Sequence, residues 1–354
     1  MRILVTGGAG FIGSHVAESW AAAGHRVLVL DNLSRARLLG KSERNADWAW
    51  RELQKLPNVE CVQGSVADGA LVADLVSAAD AVVHAAAQTA VTTSVVDPAT
   101  DFHTNVVGTF TVLEAVRRSG RRVPVVFTST NKVYGENVNA LGVVGSERRY
   151  AFDGRHAAGV SESVSVDHCK HTPYGASKLA ADLYVQEYAR LYHIPTAVFR
   201  MSCIYGPRQF GVEDQGWVAH FVISVLTGAP LTIYGDGKQV RDVLYVSDLV
   251  EAMRRFVERA DGFPDGLVCN IGGGPRFTLS LLELLDLLAA ETGRRTAVRF
   301  EDWRPSDQRV YVSDVARAQA ALGWTPSTPP AEGIGRLVRW VGEHRDLFDP
   351  AADR

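Results

Sequence analysis

The string TGGAGFIG at positions 6–13 constrains the fold more than any other feature of this 354-residue chain. It sets Gly7, Gly10 and Gly13 between a short apolar run, RILVT, and a stretch that puts Ile12, Val16 and Trp20 at helical spacing, with Gly24 as a C-cap. Glycine at such positions lets backbone approach a phosphate closely and take a positive φ. A helix opening at Phe11 and Ile12 turns its unsatisfied N–H groups toward an anion. Glycine spacing alone is weak, but the next apolar run, 27–30, ends on an acid, Asp31. Strand, glycine turn, helix, strand and acid in that order predict a dinucleotide site. A carboxylate at Asp31 accepts from an adenosine ribose and repels a 2′-phosphate, which favours NAD over NADP; Arg35 and Arg37 close by argue the other way.

Strand and helix patterns alternate through the first half. Strands are expected at 2–6, 27–30, 59–62, 81–84, 123–129 and 196–200, and helices at 11–23, 105–119 and 174–192. This reads as an α/β protein with a Rossmann-type, doubly wound parallel sheet covered on both faces. After about Tyr205 the loops grow longer and richer in Gly and Pro, with helical patterns at 248–258, 279–292 and 315–322. A smaller mixed α/β C-terminal substrate domain is expected. The boundaries are 1–205 for the nucleotide domain, with a returning segment at about 243–275, and 206–242 plus 276–354 for the other. Residues 35–55 form a charged insertion, and the polar stretch 136–171 is long enough to suggest a functional role.

The net charge of −3 and pI near 6.4 give no long-range reason to expect nucleic acid or an anionic membrane as partner. No apolar run approaches the ~18 residues of a membrane span. Cys61, Cys169, Cys203 and Cys269 form no C-x-x-C pair, so reduced thiols, no metal and a cytoplasmic location are expected.

Tyr174 and Lys178 lie four apart and share a helical face, with Thr172 as cap and Pro173 in the first turn. A phenol titrates near pH ~10 and is a poor base at neutrality. An ammonium within ~4–6 Å favours the phenolate and lowers that value by about 1–3 units. Ser129 and Thr130 end the apolar strand of FTSTNKVYG, at the strand end where open α/β sheets bind ligands. Thr130, Tyr174 and Lys178 together form a candidate catalytic site that removes a hydroxyl proton while hydride leaves the same carbon.

TGGAGFIG, STNKVYG and YGASK, together with HAAAQ at 84–88, Asp97-Pro98 and NVVGT at 105–109, resemble the extended short-chain dehydrogenase/reductases that act on nucleotide sugars. The resemblance covers nearly the whole chain. Within that group, HTPYGASKLAAD, YGPRQFGVEDQGWV, GDGKQVRDVLYVSDL, RPSDQRVYVSD and DNLSR resemble the CDP-paratose (CDP-tyvelose) 2-epimerases. The resemblance implies transient oxidation by NAD and return of the hydride to the other face of the sugar, at C2. Thr130 would be the hydroxyl partner, Tyr174 the base and Lys178 its helper.

Cofactor contacts are then expected from Gly7, Gly10, Phe11, Ile12, Gly13, Asp31, Asn32, Ser34, Arg35, Ser65, Val66, Ala85, Ala86, Ala87, Gln88, Asn105, Ser129, Tyr174 and Lys178. Ser65 stands where an aspartate is often found near the adenine, and Cys203 where an asparagine is often found near the nicotinamide; Cys203 reads best as a small buried filler. Dehydratases of the family carry an acid pair directly after the threonine. Here those positions are Asn131 and Lys132, which removes the usual general acid for expelling water. Both are expected at the substrate, with Gln215, Gly216, Trp217, Val218, Thr232, Ile233, Arg241, Arg304 and Asp307. Arg241 and Arg304 are the candidate diphosphate ligands, because a guanidinium fork matches phosphate oxygens. The substrate implied is a nucleotide-diphosphate sugar, and the assembly implied is a homodimer or homotetramer. A 4-epimerase shares every catalytic residue, and a net NAD-dependent sugar dehydrogenase or reductase is the reading from another class. A non-catalytic cofactor sensor would not need the three catalytic groups.

Overall fold

The computed structural model describes residues 1–35, 47–304 and 307–348; Arg37 and much of the charged insertion lie outside them. In chain order the strands are β1 (Arg2–Thr6), β2 (Arg26–Asp31), β3 (Val59–Gln63), β4 (Ala81–His84), β5 (Val125–Thr130), β6 (Val143–Gly145), β7 (Tyr150–Phe152), β8 (Thr196–Met201), β9 (Cys203–Tyr205), β10 (Leu231–Tyr234), β11 (Val240–Tyr245), β12 (Leu267–Ile271), β13 (Thr278–Ser280), β14 (Val298–Glu301) and β15 (Val310–Tyr311).

A seven-stranded sheet runs in the order β12-β8-β5-β4-β1-β2-β3. The chain starts at β1, builds β2 and β3 to one side, then returns to lay β4 on the other. Pairings β1·β2, β1·β4, β2·β3 and β4·β5 are parallel. The order reverses between β1 and β4, where Thr6 and His84 stand in register at the carboxyl ends; this is where open α/β sheets form a ligand crevice. Every residue of β4 and β5 is buried, which accounts for their Val-rich composition. Helices Phe11–Ala22, Gly69–Ser77 and Pro173–Tyr192 flank the sheet, and Leu4, Val82, Val116, Phe127 and Val185 share one core.

The helix expected at 105–119 begins earlier. Asp97 caps Pro98–Phe102 by accepting the Thr100 N–H at 3.0 Å, a π-helical turn spans His103–Val107, and α-helix resumes at Gly108–Arg118. Such turns are frequent at functional sites.

The chain divides into two compact units, 1–133 with 171–200 and 250–269, and 134–170 with 201–249 and 270–354. This differs from the sequence-based boundaries, which gave 134–170 to the nucleotide domain. Long-range backbone bonds decide it. Tyr150 donates to the Lys238 carbonyl at 2.9 Å and Val160 to that of Val312 at 2.7 Å, tying the polar stretch into the second unit. The return to the first unit starts at 250, because β11 pairs with β9, β13 and β15. Helix Trp217–Thr227, not expected from the sequence, is apolar on most faces and so shows little period; left-handed Gly216 and Gly228 bound it.

Candidate active site

The glycine turn has the geometry its residues predict. Gly7 takes φ +68, and a Cβ there would stand 2.6 Å from the backbone of Ala86; one on Gly13 would stand 2.2 Å from the Gly7 carbonyl. Gly7 donates to the Leu30 carbonyl at 2.8 Å, and Ala85 to that of Thr6 at 3.1 Å, so β1, β2 and β4 fix the turn together. Helix Phe11–Ala22 starts at Gly10 with no side-chain cap, leaving its first N–H groups to an anion. The Asp31 carboxylate accepts the Ala9 N–H at 2.9 Å and the Leu33 N–H at 2.8 Å, which locks it against this turn. Arg35 attracts Asp31 electrostatically. A cradle that any Cβ would fill, an uncapped helix start and a fixed strand-end acid fit NAD.

Thr130, Tyr174 and Lys178 come together in the first unit. The Thr130 hydroxyl acts on the Tyr174 phenol to favour its ionised form; it donates to the Asn131 side-chain oxygen at 3.3 Å and accepts the Lys132 N–H at 3.3 Å. Thr172, strained at φ +63, caps helix Pro173–Tyr192 by accepting the Gly175 N–H at 3.4 Å. Ser94 accepts the Tyr174 N–H at 3.1 Å and so helps fix the first turn. Lys178 is 2% exposed, with its Nζ 4.1 Å from the centre of the Phe127 ring.

Burial pushes the Tyr174 phenol up to about 12, against the Thr130 hydrogen bond, and Asp101 adds to the rise. Burial brings Lys178 down to about 7, opposed by Asp182 and Asp101. Burial dominates both groups.

Around this pair lies a polar network that the sequence reading assigned differently. Asn105, expected at the cofactor, is buried and fully engaged. Its carbonyl oxygen accepts the Gln88 N–H at 2.9 Å, and its NH₂ shares two hydrogens among the Gln88 carbonyl (3.0 Å), Asp101 (3.1 Å) and Ser177 (3.0 Å). The Gln88 side chain is likewise bonded to Ala90 and Asp101. Ser129 donates to Asp182 at 2.7 Å, within a buried ion pair of Asp182 with Arg200 at 3.0 Å. Val66 is in the core. The side chains of Asn105, Gln88 and Ser129 are thus hydrogen-bonded within the protein, and that of Val66 is packed in its core. His84, Asp101 and Asp182 were missed. Asp101 and Asn105 are four apart on one helical face, which was the available signal. His84 lies 2.6 Å from Thr6 and 3.0 Å from Thr109, and burial lowers it to about 3, so it is neutral.

In the second unit, Arg241 donates to Asp307 at 2.8 Å. Arg304 pairs with Asp214 (2.9 Å) and Glu213 (3.3 Å) and lies 3.9 Å over the Tyr234 ring. Trp217 donates to the Cys203 sulfur at 3.3 Å, so Cys203 is a partner for the indole. Val218 and Ile233 pack in the core of this unit, and Thr232 is on the other face of β10. Gln215 exchanges backbone bonds with Val212. Among the described residues there is no cluster of His, Cys, Asp or Glu able to hold a metal, and no helix long and apolar enough to cross a membrane.

The model of the NAD dependent epimerase/dehydratase family matches residues 3–272. The chain belongs to this family. It is 38% identical to the CDP-paratose 2-epimerase of Salmonella typhi over 96% of this chain and 99% of that one. It is 34% identical to the dTDP-glucose 4,6-dehydratase of Streptomyces antibioticus over 100% and 96%. The structure of UDP-glucuronic acid 4-epimerase from Bacillus cereus with UDP-glucuronic acid and NAD aligns with a TM-score of 0.79 at 26% identity, covering 97% and 99%. The family match accounts for the cofactor, NAD, and for the parallel sheet with its glycine turn. Relatives that epimerise and relatives that dehydrate are both similar to this chain over nearly its full length, so the overall likeness does not choose between the two reactions.

Proposed function

We propose that this protein inverts C2 of a nucleotide-diphosphate sugar by transient oxidation and re-reduction. The observation that carries an epimerase reading is the Thr130–Tyr174–Lys178 cluster, with Asn131 and Lys132 directly after the threonine. These offer no carboxylic acid to expel water. The 38% identity to a CDP-paratose 2-epimerase, with the strings at 171–182 and 235–249, favours C2. Bound NAD supplies the hydride acceptor for the oxidation and the donor for the return. Tyr174 takes the proton from the reacting hydroxyl, Thr130 shares that proton's hydrogen bond, and Lys178 as ammonium stabilises the phenolate. Arg241 and Arg304 exchange their carboxylate partners for the diphosphate. A 4-epimerase is the second reading, because UDP-glucose 4-epimerases are similar at 34% identity and nothing in the cluster distinguishes the carbon.

Proton NMR of products from a panel of CDP-, UDP-, GDP-, ADP- and dTDP-hexoses tests this. Inversion at C2 is expected; inversion at C4 would replace the first reading by the second. Net accumulation of keto-sugar with exchange of cofactor would replace both by a dehydrogenase.

We also infer a homodimer or homotetramer. Support comes from apolar side chains exposed on 98–118 and Pro173–Tyr192: Phe102 at 55%, Leu183 at 48%, and Phe110 edge-on to Tyr184 at 6.0 Å. Leu183→Glu should shift sedimentation toward monomer; an unchanged assembly would place the contact elsewhere.

A further inference from the structure

Asp101 is 1% exposed, yet its carboxylate accepts from neutral groups, the Gln88 and Asn105 amides, each at 3.1 Å, and burial raises its carboxyl above the ordinary value. A buried carboxylate normally sits against a cation. Asp182, the other acid beside Lys178, is already matched by Arg200 at 3.0 and 3.2 Å and also accepts from Ser129 and Gln186. Among the described residues Asp101 makes no ion pair, and the cation that attracts it electrostatically is Lys178. The same hydrogen bonds reach the backbone of the catalytic turn. Asn105 donates to Ser177 at 3.0 Å, and Ser177 donates to the Tyr174 carbonyl at 3.1 Å. The groups acting on Lys178 are thus Asp101 from Pro98–Phe102, Asp182 from its own helix, neutral His84 from β4 and the Phe127 ring from β5.

We propose that Asp101 is a positioning residue of the active site: through Asn105 and Ser177 it fixes the turn between Tyr174 and Lys178, and its carboxylate is the uncommitted counter-charge that keeps Lys178 an ammonium ion inside the protein. The proposal rests on Lys178 serving Tyr174 in the function proposed above. It gives a reason for an acid at this buried position. Burial pulls Lys178 down to about 7, so one nearby negative charge decides its state at neutral pH.

The chain has six lysines, Lys41, Lys55, Lys132, Lys170, Lys178 and Lys238. Lysine labelled with ¹³C at Cε therefore gives six signals, and Lys178→Met identifies its own by subtraction. In the full-length protein the Lys178 signal should titrate near neutrality. In Asp101→Asn its midpoint should fall by at least about one pH unit, leaving about tenfold less ammonium above that midpoint. Asp101→Glu, which restores the charge, should bring it back. The alkaline limb of kcat in Asp101→Asn should move to lower pH by the same amount. An unmoved Lys178 midpoint in folded Asp101→Asn overturns the proposal, since a purely structural residue would lower kcat without moving the titration. Should Asp101→Asn not fold, Asp101→Ser removes the charge while keeping a hydroxyl for Asn105. If neither folds, Asp101 is a folding residue and the proposal fails. A shifted midpoint in a protein that turns over no nucleotide sugar would sink the proposed function and leave the charge assignment standing.

Discussion

Tyr174→Phe should lower turnover by roughly a hundred- to ten-thousandfold, the span expected for loss of a positioned general base, while the protein keeps its fold and its NAD. The phenol oxygen is the one atom removed. The ring stays against its neighbours, the Tyr174 N–H still donates to Ser94, and the glycine turn lies on other elements. Thr130 cannot take over, because a hydroxyl without the lysine's charge is no base at neutral pH. The experiment measures product formation by NMR and, on the same preparation, NAD released on acid denaturation. Turnover close to wild type would remove Tyr174 from the mechanism. Loss of NAD together with activity would show that the phenol holds the cofactor rather than the proton. The structure makes the tyrosine's task harder than sequence spacing implies, since its phenol is pushed up to about 12 in the protein's own environment. The positive charges that favour the phenolate are Lys178 and the nicotinamide of bound NAD.

The largest effect on stability is expected at Asp182. Its carboxylate is fully buried and faces the nearly buried Arg200 guanidinium, with Ser129 and Gln186 filling its remaining acceptor positions. Asp182→Ala removes the buried carboxylate that faces this cation, and breaking a buried pair from one side costs about 3–5 kcal/mol. Urea unfolding followed by circular dichroism should show the midpoint of the first unit fall sharply. Two compact units need not melt together, so a second transition should stay in place. Asp182→Leu combined with Arg200→Met should recover most of the loss, because well-packed apolar pairs replace buried ion pairs at little cost. A single variant as stable as wild type would mean that water reaches Arg200 and that the pair is not load-carrying. Catalysis should fall as well, since the freed Ser129 hydroxyl precedes Thr130 at the strand end.

Much of the nucleotide half is legible from the chain because its determinants are local. Positive φ at Gly7, the close approach at Gly13, the capping of Pro173–Tyr192 by Thr172, and the run of buried residues in β4 and β5 each depend on a few neighbouring side chains. The same holds for placing Thr130 at a strand end and Tyr174 and Lys178 on one helical face. The second unit was legible only in part. Helix Trp217–Thr227 has too uniform an apolar surface to show a period, and 134–170 joins that unit through backbone bonds to residues far along the chain. What only tertiary structure decided is which polar side chains are spent internally. Asn105, Gln88 and Ser129 sit in motifs beside a cofactor crevice, and all three turn inward to satisfy buried partners. The charge state of Tyr174 and Lys178 was decided there too. Spacing brings the pair together, but burial and the acids at 101 and 182, contributed from separate helices, shift both groups.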